Sequence, residues 1–295
     1  MRKLLVLAVL VLVVWLNRHR VDWRAAWSTL AGASVWLVLL TAAATFSSTL
    51  VKGVRWWLFL RRSTTLGLGH VVRLTIAGTS LNSVLVANAG DLARVMLAAR
   101  EGRVTVRVVL GTLAADKITD VLAFVTIALF AFLVNPALLT SRVNGWVLGA
   151  IGATALAAMI MTRASRLAQF TAELRAHLHS GDILPAYGLS TLAWAGQVGA
   201  YTLGALAIGV RLPVVAAIHA VVAVNMAGVL RSTPGNIGIF QVMYVFALAP
   251  FGVSRASAIA AAVLIQVVQI TTAVIAGAIA LGTYRNAPTG AAHTT

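Results

Sequence analysis

Residues 258–281 read AIAAAVLIQVVQITTAVIAGAIAL, and residues 121–134 read VLAFVTIALFAFLV. Neither run carries a charge. In hydrocarbon no water is available to the backbone, so every N–H and C=O must be satisfied within the structure. An uncharged apolar stretch of about 18 residues or more is therefore read as a helix that crosses a bilayer. The first run satisfies this by itself; the second is the closing part of a longer expected span. The rest of the chain agrees. It is 60% hydrophobic and 10% charged, where a soluble domain carries roughly 25% charged residues. The expected class is all-α, a polytopic helical membrane protein forming one integral membrane domain over 1–295.

Six full spans are expected, at about 4–16, 33–60, 106–133, 144–162, 185–209 and 256–283. The first follows MRK and precedes NRHR, which is no cleavage site, so it reads as an uncleaved span. Residues 21–31, with Trp23 and Trp27, fit a helix lying in the interface. Trp56 and Trp57 read as interface anchors, and Arg61 and Arg62 as a cytoplasmic end. The polar stretch 162–182 is the one polar loop of any length.

Two segments remain, 69–101 and 213–250. Each starts as an apolar helix, is interrupted by a polar turn (ANAGD, then STPGN), and resumes. Irregular backbone at membrane depth is tolerated where protein or a water-filled cavity satisfies it. Both segments therefore read as re-entrant or broken helical hairpins; the alternative is ordinary spans with surface loops, for 6–8 spans by hydropathy. Asn82 precedes Gly90, Asn225 precedes Gly235, and Asp91 and Asn236 directly follow those glycines. The pattern suggests a diverged, inverted repeat with halves of roughly 1–140 and 141–295. With the N-terminus inside, the loops holding Arg61, Arg62, Arg100, Arg103, Arg107, Arg163, Arg166, Arg175 and Arg285 are cytoplasmic. Both termini are then cytoplasmic, in a cell (plasma) membrane, and the hairpins enter from opposite faces, as in alternating-access transporters.

The net charge is +16 with a pI near 11.8. The bases are scattered between apolar runs and form no stripe, which argues against nucleic acid and for anchoring at anionic lipid. There is no cysteine, which removes disulfides and thiol chemistry. P-loop, H-E-x-x-H and G-x-S-x-G motifs are absent. The six histidines offer no metal pattern, and His219 reads as a packed polar group. No cofactor, metal or enzyme activity is expected.

The polar residues inside apolar runs carry the functional signal, since a charge at the bilayer centre costs about 2.5–3.5 kcal/mol on insertion scales. TLAADKITDVLAF sets Asp116 and Asp120 at i,i+4 on one helix face, with Lys117 beside them. NSVLVANAGDLARVMLAARE, 82–101, sets Asp91 and Arg94 at i,i+3 just after Gly90. Asp91 is a candidate helix N-cap. Arg94 and Lys117 are the expected partners of the acids. LRSTPGNIGIFQ brings Arg231, Pro234, Gly235, Asn236, Gly238 and Gln241 to a helix start, where free N–H groups attract anions. Gln266 and Gln269 stand on the last span as counterparts of the Asp pair, and Gln often joins helices.

NAGDLARVMLA, ADKITDVLAF and STPGNIGIFQ, in this order and spacing, resemble the transmembrane region of lysylphosphatidylglycerol synthases, whose stand-alone members are flippase-like membrane proteins. Gly90, Asp91 and Arg94 match a Gly-acid-x-x-Arg turn. Asp116, Lys117 and Asp120 match an acid-base-x-x-Asp helix. Pro234, Gly235 and Gly238 match a Pro-Gly-Gly-x-Gly-x-x-Glu turn, from which Asn236 and Gln241 depart. Bifunctional members append a soluble aminoacyl-transferase domain, for which about a dozen residues follow the last span here. The resemblance thus implies lipid translocation without aminoacylation.

Three functions compete. The first is a flippase-like protein moving an anionic phospholipid or polyprenol-linked lipid. Its head-group or translocation residues would be Asp91, Arg94, Asp116, Lys117, Asp120, Arg231, Pro234, Gly235, Asn236 and Gln241, with Gly90 and Gly238 as hinge or turn. The second is a non-transporting accessory subunit of a glycosyltransferase or lipid-modifying enzyme. The third is an intramembrane lipid-modifying enzyme. A cavity shared by the two turns would favour the first.

Overall fold

The computed structural model describes residues 28–84, 89–134, 180–228 and 234–285. Those residues form helices and connecting turns, with no strand among them. The elements are α1 (Val35–Leu60), α2 (Leu68–Val84), α3 (Ala89–Glu101), α4 (Val106–Val134), α5 (Ser180–Ala207), α6 (Val214–Gly228), a 3-10 turn (Pro234–Asn236), α7 (Ile239–Leu248), a second 3-10 turn (Ala249–Phe251) and α8 (Arg255–Arg285). Within this set α1, α4 and the stretch Arg255–Gly282 of α8 are long and apolar enough to cross a membrane. The chain is a multi-pass helical membrane protein. The expected spans at 4–16 and 144–162, the interface helix up to residue 27 and most of the polar loop 162–182 lie outside the described residues.

α1 and α5 form an antiparallel pair, and their ends define two sides of the bundle. Ser34 N–H donates to Ala207 C=O at 2.8 Å on one side. On the other, the Asp182 carboxylate accepts from Arg61 at 2.7 Å and Arg62 at 2.8 Å. Asp182 thus lies in the first turn of α5 and not in a loop. Midway, the Ser48 hydroxyl donates to Ala193 C=O at 2.9 Å.

Both interrupted segments are hairpins of short helices. α2 and α3 are 17 and 13 residues long, about 26 and 20 Å at 1.5 Å per residue. His70, near the start of α2, pairs with Glu101 at the end of α3, while Asn82 meets Gly90 at the other end. The arms therefore run antiparallel. α6 and α7 do the same: His219, early in α6, hydrogen-bonds Ala247 C=O, late in α7, at 2.8 Å. The reading of His219 as a packed polar group holds; it is 1% exposed. The first hairpin is rooted beside Arg61 and Arg62, and the second follows the Ala207 end of α5. They enter from opposite sides, as their sequence positions suggested. Their tips meet, since a Cβ on Gly235 would lie 3.2 Å from Ser83 C=O.

The packing that permits this is made of small residues. Ala205, Ala216, Ala220, Ala223, Ala258, Ala260, Ala261 and Ala262 are all buried in the main core. Small side chains let membrane helices approach closely, where van der Waals contact and polar bonds replace the hydrophobic drive. Large apolar side chains such as Leu133, Leu184 and Val35 face outward instead. Trp56 departs from expectation. It is 0% exposed in a cluster with Leu60, Val71 and Val95, so it is a core residue and not an interface anchor.

Candidate functional site

The two hairpin tips, together with α1, α4, α5 and α8, enclose a cavity of about 560 Å³. Its wall includes Lys52 and Arg55 from α1, Asp91 and Arg94 from α3, and Asp116, Lys117 and Asp120 from α4. Asn82 and Ser83 of the first hairpin and Asn225, Gly235 and Asn236 of the second face it too. Four cations and three acids leave one net positive charge in this lining. Asp116 is the eleventh residue of α4, about 15 Å from the helix start. The cluster therefore lies near the middle of a span.

Arg55 is the hub. Its Nε donates to Asp116 Oδ1 at 2.6 Å, and one Nη donates to Asp120 Oδ1 and to Ser190 Oγ, the latter at 2.8 Å. Both Arg55 and Asp116 are 2% exposed. This corrects the expected pairing. Arg94 and Lys117 are not the principal partners of the Asp116–Asp120 pair; Arg55 is, because α1 crosses α4 at that level. Arg94 reaches Asp116 only at 4.0 Å.

Arg94 and Lys117 share Asp91 instead. Arg94 Nη2 lies 3.1 Å from Asp91 Oδ1, and Lys117 Nζ lies 3.2 Å from Asp91 Oδ2. The Arg94 guanidinium stacks 4.6 Å above the Trp56 ring, and its Nε is buried with no hydrogen-bond partner. Lys117 is 50% exposed where Arg94 is 6%. One carboxylate therefore bridges a buried guanidinium and an accessible ammonium.

Asp91 is not the N-cap of its helix. α3 begins at Ala89, so Asp91 falls within the first turn, where a negative charge still suits the helix dipole. The Gly90 N–H donates to Asn82 Oδ1 at 2.9 Å. The end of one arm thus caps the start of the other. Gly90 itself is a close-contact glycine rather than a turn: any Cβ there would collide with Gly78 C=O.

In the second hairpin, Gly235, Asn236 and Gly238 have φ of 61°, 56° and 89°. Asn is the non-glycine residue most at home in the left-handed region. Asn236 can therefore stand where glycine is expected. Gln241 lies behind the cavity. It accepts from Gly238 N–H at 2.7 Å and donates to Gln266 Oε1, and Gln266 Nε2 donates to Gly235 C=O at 2.7 Å. Gln266 joins helices, as expected for glutamine in a span; Gln241 is committed to holding the turn. Pro234 opens the 3-10 turn, five residues ahead of α7. Arg231 lies outside the described residues.

The structure thus brings Asp91, Arg94, Asp116, Lys117, Asp120, Gly235 and Asn236 to one cavity wall. Sequence reading missed Lys52 and Arg55, both in LVKGVRWWLFLRR. The available signal was their i,i+3 placement several residues before the span's end, where a charge needs a partner. The tryptophans and the terminal Arg pair drew the whole stretch toward the interface.

A family model, the lysylphosphatidylglycerol synthase TM region, matches residues 3–277. The chain belongs to this family. No curated protein matches it at a meaningful level. The three motifs that resembled this family all converge on the cavity region. The Gly-acid-x-x-Arg turn supplies Asp91 and Arg94, the acid-base-x-x-Asp helix supplies Asp116, Lys117 and Asp120, and the Pro-Gly turn supplies the opposing tip.

Proposed function

We propose that this member of the lysylphosphatidylglycerol synthase TM region family translocates a lipid with an anionic head group. It would act as a transporter rather than an enzyme, in the plasma membrane with both termini cytoplasmic. The observation that carries the reading is the meeting of two hairpins, rooted on opposite sides, at one polar, net-positive cavity. Opposed discontinuous helices around a central site are the hardware of alternating access. The same geometry supports an inverted repeat relating the hairpins.

Asp91 would act as the resting partner. A phosphate reaching the cavity competes with Asp91 for Lys117 first, the exposed cation, and then for Arg94. Arg94 can offer two parallel hydrogen bonds, and its stacking on Trp56 fixes the guanidinium plane. Arg55 is different: held by Asp116, Asp120 and Ser190, it would keep the carboxylate pair in register and not touch the lipid.

The test is translocation of a fluorescent anionic phospholipid in vesicles reconstituted with purified protein. Arg94→Gln and Arg94→Lys should both lower the rate, the second because an ammonium cannot imitate the fork. Wild-type rates in either variant would sink the role of Arg94. Purified protein that moves no lipid at all would favour the accessory-subunit reading.

A further inference from the structure

Among the described residues lining the cavity, Lys52 is the cation that forms no ion pair. Arg55 is held by Asp116 and Asp120, Arg94 by Asp91, and Lys117 by Asp91. Lys52 Nζ lies 5.6 Å from the centroid of the Trp194 ring, and the acid that acts on it most strongly, Asp120, is already bonded to Arg55. It also lines a second, adjoining space of about 160 Å³ between α1, α2, α5 and α8. A water's share of liquid volume is about 30 Å³, so this annex holds about five waters' worth, the scale of one polyol or sugar ring.

The annex wall sets hydroxyls and amides (Thr45, Ser48, Thr49, Thr79, Gln269 and Thr272) among the apolar side chains of Phe46, Ile76, Ala273 and Ala276. This mixture suits the polar rim and apolar face of a ring, and the wall carries no acid. Thr45, Ser48 and Thr49 spend their protons on the backbone carbonyls of Thr41, Ala193 and Thr45. A hydroxyl that has donated retains acceptor capacity. The annex therefore suits a neutral ligand rich in O–H donors, placed directly beside a cation that seeks an anion. A head group bearing an ammonium would instead face Lys52 with no carboxylate in the annex to receive it.

We infer that Lys52 and the annex form a head-group subsite, in which Lys52 holds a phosphodiester oxygen and the annex takes a hydroxylated ring attached to that phosphate. The inference rests on the lipid-translocation reading and names its substrate class. Two lipids share this chemistry, an inositol-bearing glycerophospholipid and a polyprenyl-phosphoryl hexose.

The full chain is purified, and its affinity for three probes is measured by native mass spectrometry: phosphatidylinositol, a polyprenyl-phosphoryl hexose and phosphatidylmethanol. The last keeps the phosphodiester charge and lacks the ring. Wild-type protein should bind at least one ring lipid about fivefold to tenfold more tightly than phosphatidylmethanol, the scale of one or two neutral hydrogen bonds. Whichever ring lipid is preferred identifies the source. Lys52→Gln should weaken all three about tenfold or more, as loss of a charged hydrogen bond does, and Lys52→Arg should retain binding. Thr272→Val should leave phosphatidylmethanol unchanged and erase the ring preference. Lys52→Gln removes an unpaired charge, so its thermal midpoint should match or exceed that of wild type; if it does not fold, Lys52→Met replaces it. Wild-type protein that does not discriminate among the probes, or Lys52→Gln binding like wild type, overturns the inference. If Arg94→Gln loses binding while Lys52→Gln keeps it, the cavity reading stands and the subsite falls. If wild type binds none of the three, both fall.

Discussion

Arg55 lies between two carboxylates inside the bundle, and the Asp116 that pairs with it is as buried as it is. Removing one partner of a buried ion pair typically costs about 3–5 kcal/mol, because the other charge is stranded. Arg55→Ala should therefore lower the thermal midpoint sharply, and Arg55→Met with Asp116→Asn should recover much of the loss. An Arg55→Ala protein that melts like wild type would remove Arg55 from the structural core. Asp182 offers a milder test, outside the spans. The hydrogen bond from Arg62, joined by Arg61, holds its carboxyl below the usual aspartate range. The native state then binds fewer protons than the unfolded state. Its contribution is complete above the unfolded value of about 3.9 and is lost as pH falls through the lower folded value. The arginines are 38% and 47% exposed, so the effect should be small and weaken with salt. Thermal melts of Asp182→Asn should show a flatter acid limb than wild type; superimposable pH profiles would contradict it. At this scale the sequence revealed the acids through their i,i+4 spacing. Their partner stayed hidden, since Arg55 lies 61 positions from Asp116 and no local pattern reports such a contact.

The two hairpins were legible as interruptions of apolar periodicity, and the ends of α1, α4 and α8 fell close to the expected spans. The interior of each hairpin was less legible, because it depends on backbone approach. Gly90 looked like a turn residue, yet it lies in the first turn of α3 against Gly78 of α2. Gly90→Ala should then disrupt the first hairpin and lower both yield and thermal midpoint. Gly199→Ala on α5 meets open space, and alanine is about 1 kcal/mol better than glycine within a helix. That variant should be neutral or slightly stabilising in the same melts. Equal behaviour of the two variants would show that the Gly78–Gly90 approach is not structurally required. Gln241 makes the parallel point for the second hairpin. Its position near a Pro-Gly turn suggested ligand contact, but its amide is taken up by Gly238 and Gln266.

At the scale of the whole molecule, the apolar exterior, the small-residue core and the polar interior describe one device, a membrane bundle that tolerates irregular backbone because that backbone lines a cavity. Convergence of the motifs could be anticipated from their shared family resemblance. The meeting of Ser83 with Gly235 could not, since it joins elements from opposite ends of the chain. The proposed mechanism requires those tips to separate as the head group passes between the two sides. The chain contains no cysteine, so a pair introduced at Ser83 and Asn236 can be cross-linked against a clean background. The most direct measurement is lipid translocation by Ser83→Cys/Asn236→Cys protein in vesicles, before oxidation, after oxidation and after reduction. Translocation should be present in the reduced protein, lost on cross-linking and restored by reductant, while each single cysteine variant stays insensitive. Undiminished translocation with the two tips cross-linked would contradict passage through the cavity they share.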